Sequence, residues 1–199
     1  MIISIEGMDG VGKTTVAKKI ERDLKLKYVK NPVKELLEMD EEQFLKIARK
    51  IFKSDNHKIK TWYGALGDIY VLEKYKNEDI ILDRHILLNY FFNGDEITEN
   101  IFKVQVDTFG KPDLTIVLVA SVEARMKRIY QRNPNDEDLV EERKKEYGYD
   151  KMIDFLERYN YNYAVVDTEN LTPEETLEKC KKLIEEYKNK IQKNDYNNL

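Results

Sequence analysis

The sequence predicts an α/β fold, a three-layer sandwich in which a five-stranded parallel sheet lies between two layers of helices. Three observations predict it. Five short runs rich in β-branched and apolar residues are spread along the 199-residue chain. Helix-period patterns fill the intervals between them, and strands joined through helices pair in parallel. The first run is followed directly by a glycine-rich loop that opens a helical pattern.

Taken in order, strands are expected over 2–6, 27–30, 79–83, 114–120 and 163–167. Helices are expected over 13–26, 33–52, about 60–76, twice between 87 and 109, then over 122–132 and 141–159. Thr172-Pro173-Glu174-Glu175 opens the last helix as a capping box, with proline at the first helical position. One domain over 1–193 is expected, followed by a frayed polar tail at 194–199. Ligands in such sheets bind beyond the carboxyl ends of the strands. The loop after the first strand, Asp83-Arg84 and Asp167 are therefore expected to converge on one crevice.

The loop is Gly7-Met8-Asp9-Gly10-Val11-Gly12-Lys13-Thr14-Thr15, a complete G-x-x-x-x-G-K-[ST] in strand–loop–helix context. This makes the sandwich one of the P-loop type. Gly7, Gly10 and Gly12 let the backbone turn its N–H groups inward, and the following helix adds its free donors and positive dipole end. The phosphates of a nucleotide are the expected ligand of residues 7–15. Lys13 is placed to reach the β- and γ-phosphates, and the Thr14 hydroxyl to hold Mg²⁺.

Bulk properties narrow the classes. Hydrophobic residues are 41% and charged residues 36%, which describes a globular chain with a solvated surface. A net charge of −4 argues against a nucleic-acid-binding face but leaves room for a local cationic pocket. Cys180 is the single cysteine, so no intrachain disulfide can form. The first strand begins at Ile2, leaving no room for a signal peptide, and no apolar run approaches membrane-spanning length. A cytoplasmic location without membrane contact is expected.

Other residues can carry chemistry. Ile80-Ile81-Leu82-Asp83-Arg84-His85 is an apolar strand ending in a carboxylate, suited to a water of the Mg²⁺ shell, and a guanidinium fork suited to a second phosphate. Arg125, Arg128 and Arg132 fall on or near one helical face, and Arg143, Lys144 and Lys145 lie beyond a polar stretch. Together they suit a lid over about 128–148 that closes on transferring phosphates. Trp62 and Tyr63 can stack on an acceptor base or serve as core. The tyrosine-rich stretch 147–163 reads as packing or interface, which leaves a homodimer open. His57 and His85 are isolated, which excludes a zinc site, and no nucleophile–base triad is legible.

Three motifs together resemble the thymidylate kinase family of P-loop nucleotide kinases, with deoxynucleoside kinases as close relatives. They are Glu6-Gly7-Met8-Asp9-Gly10-Val11-Gly12-Lys13-Thr14-Thr15, Asp83-Arg84-His85, and Pro112-Asp113-Leu114-Thr115. The resemblance implies phosphoryl transfer from Mg-ATP to a nucleoside monophosphate, dTMP above all. It implies that Asp9 contacts the acceptor sugar and that Arg84 holds the acceptor phosphate. Gly10 stands where some members carry a catalytic arginine, so a lid cation, Arg132 or Arg143, is expected to supply that charge.

Three positions depart from the pattern. Asn31, in Lys30-Asn31-Pro32, stands where relatives have glutamate, Val119 replaces an acidic residue, and no F-x-x-x-R is legible over 62–68. The alternatives are a deoxynucleoside kinase acting on a 5′-hydroxyl, and a nucleotide-dependent switch. The switch lacks its N-K-x-D and D-x-x-G sequences here.

Overall fold

The computed structural model describes residues 1–136, 139 and 148–197. Its five strands are β1 (Ile2–Glu6), β2 (Lys27–Val29), β3 (Ile80–Asp83), β4 (Leu114–Val119) and β5 (Tyr163–Asp167). They form one sheet in the order β2-β3-β1-β4-β5, and every pairing is parallel. Strand β1 is central and buried along its whole length, with Ile2, Ile3 and Ile5 apolar and only Ser4 and Glu6 polar. It sets Ile5 opposite Asp83 on one side and Glu6 opposite Val117 on the other.

The helices are α1 (Lys13–Leu24), α2 (Pro32–Leu36), α3 (Glu41–Phe52), α4 (His57–Lys74), α5 (Ile86–Asn93), α6 (Glu99–Phe109), α7 (Val122–Arg132), α8 (Gly148–Arg158) and α9 (Pro173–Asn197). Helices α1 and α9 pack Val16, Ala17, Ile20, Leu177, Cys180 and Ile184 on Ile3, Ile5, Ile116 and Leu118 of the sheet. A second cluster joins Leu87, Tyr90, Phe102, Met152 and Phe155 to Val117, and a third sets Val71 and Leu72 of α4 and its C-cap Tyr75 against Ile80 and Leu82. Each fully buried aliphatic side chain contributes about 1.5–3 kcal/mol relative to exposure. The tyrosine-rich stretch serves packing here: Tyr161 is buried, and Tyr149, Tyr159 and Tyr163 lie against the second cluster.

The sequence pattern and the structure differ in three places. The helix expected over 33–52 is two helices, because Glu38 takes a left-handed φ of 51°. Asp40 then starts α3 by accepting the Gln43 N–H at 2.8 Å in a capping box. Helix α8 begins at Gly148, and the earlier part of the segment expected as helix lies outside the described residues. Helix α9 runs on to Asn197, into the segment expected as a tail. Its capping box forms as read, with Thr172 N–H donating to Glu175 Oε2 at 2.8 Å and Glu175 N–H to Thr172 Oγ1 at 3.2 Å. Among the described residues no helix is long and apolar enough to cross a membrane.

The loop glycines differ in what surrounds them. A Cβ on Gly7, at φ 128°, would lie 2.2 Å from the Leu118 carbonyl oxygen of β4, whereas one on Gly12, at φ 98°, would meet nothing within 4 Å. Gly7→Ala is therefore expected to cost about 2–5 kcal/mol, left-handed strain plus overpacking. Gly12→Ala is expected to cost only the strain, about 1–2 kcal/mol. Urea unfolding of both variants checks the order, and equal midpoints would contradict it.

Candidate active site

The site begins where β1 stops. After Glu6 the chain turns through Gly7, Gly10 and Gly12, all at positive φ, and Gly12 stands at the N-cap of α1. Lys13 lines the site's crevice and is 5% exposed. Its Nζ donates to the Gly7 and Met8 carbonyls at 2.8 and 2.7 Å, and lies 3.8 Å from Asp9 Oδ1. Burial, helped by the Arg84 charge, lowers its pKa to about 8. The ammonium thus rests on two loop carbonyls, beside the N–H donors of the same loop.

Across the β1–β3 pairing lies Asp83. Its Oδ2 accepts from Thr14 Oγ1 at 2.5 Å and from the Tyr28 hydroxyl at 2.9 Å, and the Lys30 ammonium is 3.5 Å away. Burial favours the neutral acid, yet the Thr14 and Tyr28 hydrogen bonds and the Lys30 and Arg84 charges hold Asp83 below the usual carboxylate range. Its Oδ1 is buried with no hydrogen-bond partner among the described residues. A hydroxyl and an ionised carboxylate with a spare buried oxygen form a donor set that fits the shell of a hydrated Mg²⁺.

Arg84 follows with φ 83°. Its Nη2 reaches Asp9 Oδ1 at 2.5 Å while its side chain stays 40% exposed, and Asp9 itself is buried. The guanidinium therefore keeps donors turned to solvent after pairing with Asp9.

The arginines expected on one face separate. Arg125 is buried, with Nη1 3.5 Å from the Asp9 carbonyl, so it supports the loop from behind rather than lining a lid. Arg128 donates to Thr168 Oγ1 at 3.1 Å and to the Thr168 and Glu169 carbonyls at 2.6 and 3.2 Å, fixing α7 to the turn after β5. Arg132 pairs with Asp136 one turn on. Arg143 lies outside the described residues.

These parts line a crevice of about 560 Å³ running from Asp9–Val16 past Lys30 and Arg84 to Arg128, Arg132, Thr168, Leu171 and Thr176. Among the described residues five cationic side chains and one carboxylate line it. A polyanion is thus favoured locally although the chain as a whole is negative.

Several expected residues fall elsewhere. Asp167 does not join the crevice; it turns back to accept the Glu169 N–H at 2.8 Å and borders a separate groove with Ser121 and Tyr149. Thr168, one residue on, takes the expected place. Trp62 is 49% exposed on α4, neither core nor part of the crevice. Tyr63 is half-buried and meets Phe52 edge-on at 5.9 Å. Asn31 stands beside the crevice at the N-cap of α2, left-handed at φ 52°, and its side chain makes no capping bond. Glu35 is engaged by Tyr70, Lys74 and Tyr75. Where an F-x-x-x-R is missing, a Cβ on Gly67 would lie 3.0 Å from Pro32 and Val33, so α2 packs directly on α4.

Sequence reasoning missed Lys30, Glu6 and the turn after β5. Lys30 carried a signal, a cation at the carboxyl end of a strand. Glu6 carried another, a carboxylate ending an apolar central strand. It is buried, its pKa is pushed up to about 7 by desolvation, and its Oε1 accepts the His85 N–H at 2.7 Å. His85 is also buried, which lowers its pKa to about 4 and leaves the ring neutral.

Comparison with known proteins places the chain among nucleotide kinases. The chain is 32% identical over 193 residues to "Probable thymidylate kinase 1" of Saccharolobus solfataricus, covering 92% of this chain and 96% of that one. It is 29% identical to the cytidylate kinase of Sulfurisphaera tokodaii, over 95% of this chain and 96% of that one. Its fold matches a solved deoxyadenosine kinase from M. mycoides, described with products dCMP and a flexible dCDP bound, at a TM-score of 0.68 and 25% identity over 94% of this chain and all of that one. The family model for thymidylate kinase matches residues 5–180, so the chain belongs to the thymidylate kinase family.

Proposed function

We propose that the chain transfers the γ-phosphoryl group of ATP to a deoxynucleoside monophosphate, dTMP foremost, giving dTDP and ADP. The observation that carries the reading is the meeting of two phosphate-binding elements from different strands. The loop with Lys13 lies after β1, and Arg84 lies after β3, with Thr14 and Asp83 hydrogen-bonded between them. Residues 7–15 and the α1 N-terminus take the donor phosphates, and Lys13 exchanges its two carbonyl partners for phosphate oxygens. Arg128 and Arg132 line the donor end of the crevice. Thr14 and Asp83 would hold Mg²⁺, which neutralises phosphate charge when bound.

On the acceptor side, Arg84 offers its exposed donors to the monophosphate and Asp9 steadies its fork. Alignment and charge neutralisation supply most of the rate gain in such transfers. Residues about 128–148 act as a lid within a single domain, with Arg132 or Arg143 supplying the charge that Gly10 cannot. The chain works in the cytoplasm on small-molecule nucleotides, without nucleic acid.

A second reading is a deoxynucleoside kinase, supported by the fold match to one. That chemistry calls for a general base at the acceptor hydroxyl. Asn31 cannot take a proton at ordinary pH, and Glu35 is committed to Tyr70, Lys74 and Tyr75. A monophosphate is already anionic near neutrality, with a second pKa of about 6 by analogy with phosphorylated side chains.

A coupled assay of ADP release across nucleosides and monophosphates is expected to show turnover with dTMP or another deoxynucleoside monophosphate and little with free nucleosides. Turnover of thymidine or deoxyadenosine alone would promote the second reading. Lys13→Ala is expected to lower turnover about 10³-fold or more, and near wild-type activity in that variant would remove the kinase assignment. Arg84→Ala is expected to weaken acceptor use by about 1.5–3 kcal/mol while sparing ATP binding. Nucleotide titrations check this, equal losses on both substrates marking Arg84 as structural.

A further inference from the structure

Arg84 pays for its position with backbone strain. Its φ of 83° is one that a residue bearing a Cβ seldom adopts, and such a conformation persists only where its surroundings enforce it. Two hydrogen bonds flank the strained residue. The Arg84 N–H donates to the Ile5 carbonyl of β1 at 3.1 Å, and the N–H of the next residue, His85, donates to Glu6 Oε1 at 2.7 Å. The first is ordinary strand pairing carried one residue past β3. The second comes from a side chain, so the sequence can gain or lose it.

His85 is the N-cap residue of α5, and its own side chain makes no capping bond. The first turn of any helix leaves N–H groups without partners. Here Glu6, from the central strand, supplies the missing acceptor, and the Leu87 amide also favours its ionised form. The carboxyl is 1% exposed, and within the charge field of both Lys13 and Arg84. Its second oxygen, Oε2, has no hydrogen-bond partner among the described residues. Among the described residues the hydrogen bonds to this buried acid come from the start of α5, so its contacts converge on the turn that aims Arg84.

We propose that Glu6 is a positioning residue for Arg84: by accepting the His85 N–H it holds the left-handed turn that directs the guanidinium to Asp9 and the acceptor side of the crevice. The inference rests on the reading of Arg84 as the holder of the acceptor phosphate. Glu6 itself touches no substrate. Released from Glu6, the turn relaxes toward a negative φ and the fork swings off line, whereas the donor loop, whose glycines set its shape, keeps its conformation.

Steady-state kinetics and equilibrium ATP binding on Glu6→Ala, Glu6→Asp and Glu6→Gln test this, using the monophosphate with the highest turnover. Glu6→Ala is expected to raise the acceptor KM about 10-fold, the loss of one buried hydrogen bond with its partner left behind. The ATP Kd is expected to stay within about twofold. Glu6→Asp, which withdraws the carboxyl by one methylene and keeps its charge, is expected to follow Glu6→Ala; Glu6→Gln keeps an acceptor oxygen and is expected to behave as the parent.

In an Arg84→Ala background, Glu6→Ala is expected to add no further loss, because the residue it positions is gone. Equal losses for donor and acceptor, additive losses in the double variant, or a Gln variant as poor as Ala would each overturn the proposal. Should Glu6→Ala fail to fold, the contrast between Asp and Gln decides. Arg84→Ala alone separates the two levels: if it weakens ATP and acceptor equally, the reading of Arg84 has failed rather than the role of Glu6.

Discussion

The register of β1 against β3 is the constraint on which the rest of this structure depends. With Ile5 opposite Asp83, the strand that ends in the glycine loop and the strand that ends in Asp83-Arg84 finish at the same level. Thr14, at the first turn of α1, then meets Asp83 directly. A slip of one residue would turn the side chains of β3 to the opposite faces and carry Asp83 away from Thr14. The register is secured by the apolar side chains of β1 and β3, which are buried in clusters on the two sides of the sheet. Core packing thus fixes a polar geometry that the polar groups alone would not hold.

That geometry is electrically costly. Lys13, Asp9 and Asp83 are all buried, and desolvating charges costs several kcal/mol per ion unless hydrogen bonds and opposite charges compensate. The chain compensates locally, with Lys13 on two carbonyls, Asp9 on Arg84, and Asp83 on two hydroxyls and Lys30. On the proposed function, a triphosphate at the loop would offer Lys13 oxygens with full negative charge in place of carbonyl dipoles, which would favour the ammonium that burial alone disfavours. The same exchange would favour polyanions over neutral ligands, which would leave the cations poorly matched.

All five strands were legible in the sequence: β1, β3 and β4, buried in the middle of the sheet, read as apolar runs, and the edge strands β2 and β5 as short β-branched and aromatic runs between helical patterns. The loop, Thr14, Asp83 and Arg84 were legible for a related reason: their chemistry sits in motifs contiguous with those strands. What escaped depended on distant partners. Glu38 taking a left-handed turn split one expected helix, and no local pattern marks that choice at a glutamate. Arg125 has the helical spacing of Arg128 yet turns inward to the Asp9 carbonyl, a difference set by packing of α7 under the loop. Asp167 and Thr168 differ by one residue, and the strand end alone could not say which of the two faces the crevice.

The central claim is that donor and acceptor phosphates lie on two walls joined by the Thr14–Asp83 contact. A crystal structure with a bisubstrate analogue, adenosine and thymidine linked through their 5′-phosphates, bound with Mg²⁺, tests it most directly. The account predicts that Lys13 Nζ leaves the Gly7 and Met8 carbonyls for the donor phosphates. It also predicts that Arg84 contacts the phosphate nearest thymidine while its φ stays positive. Density placing the thymidine phosphate away from Arg84, or Lys13 still on its two carbonyls with the analogue fully bound, would contradict the account.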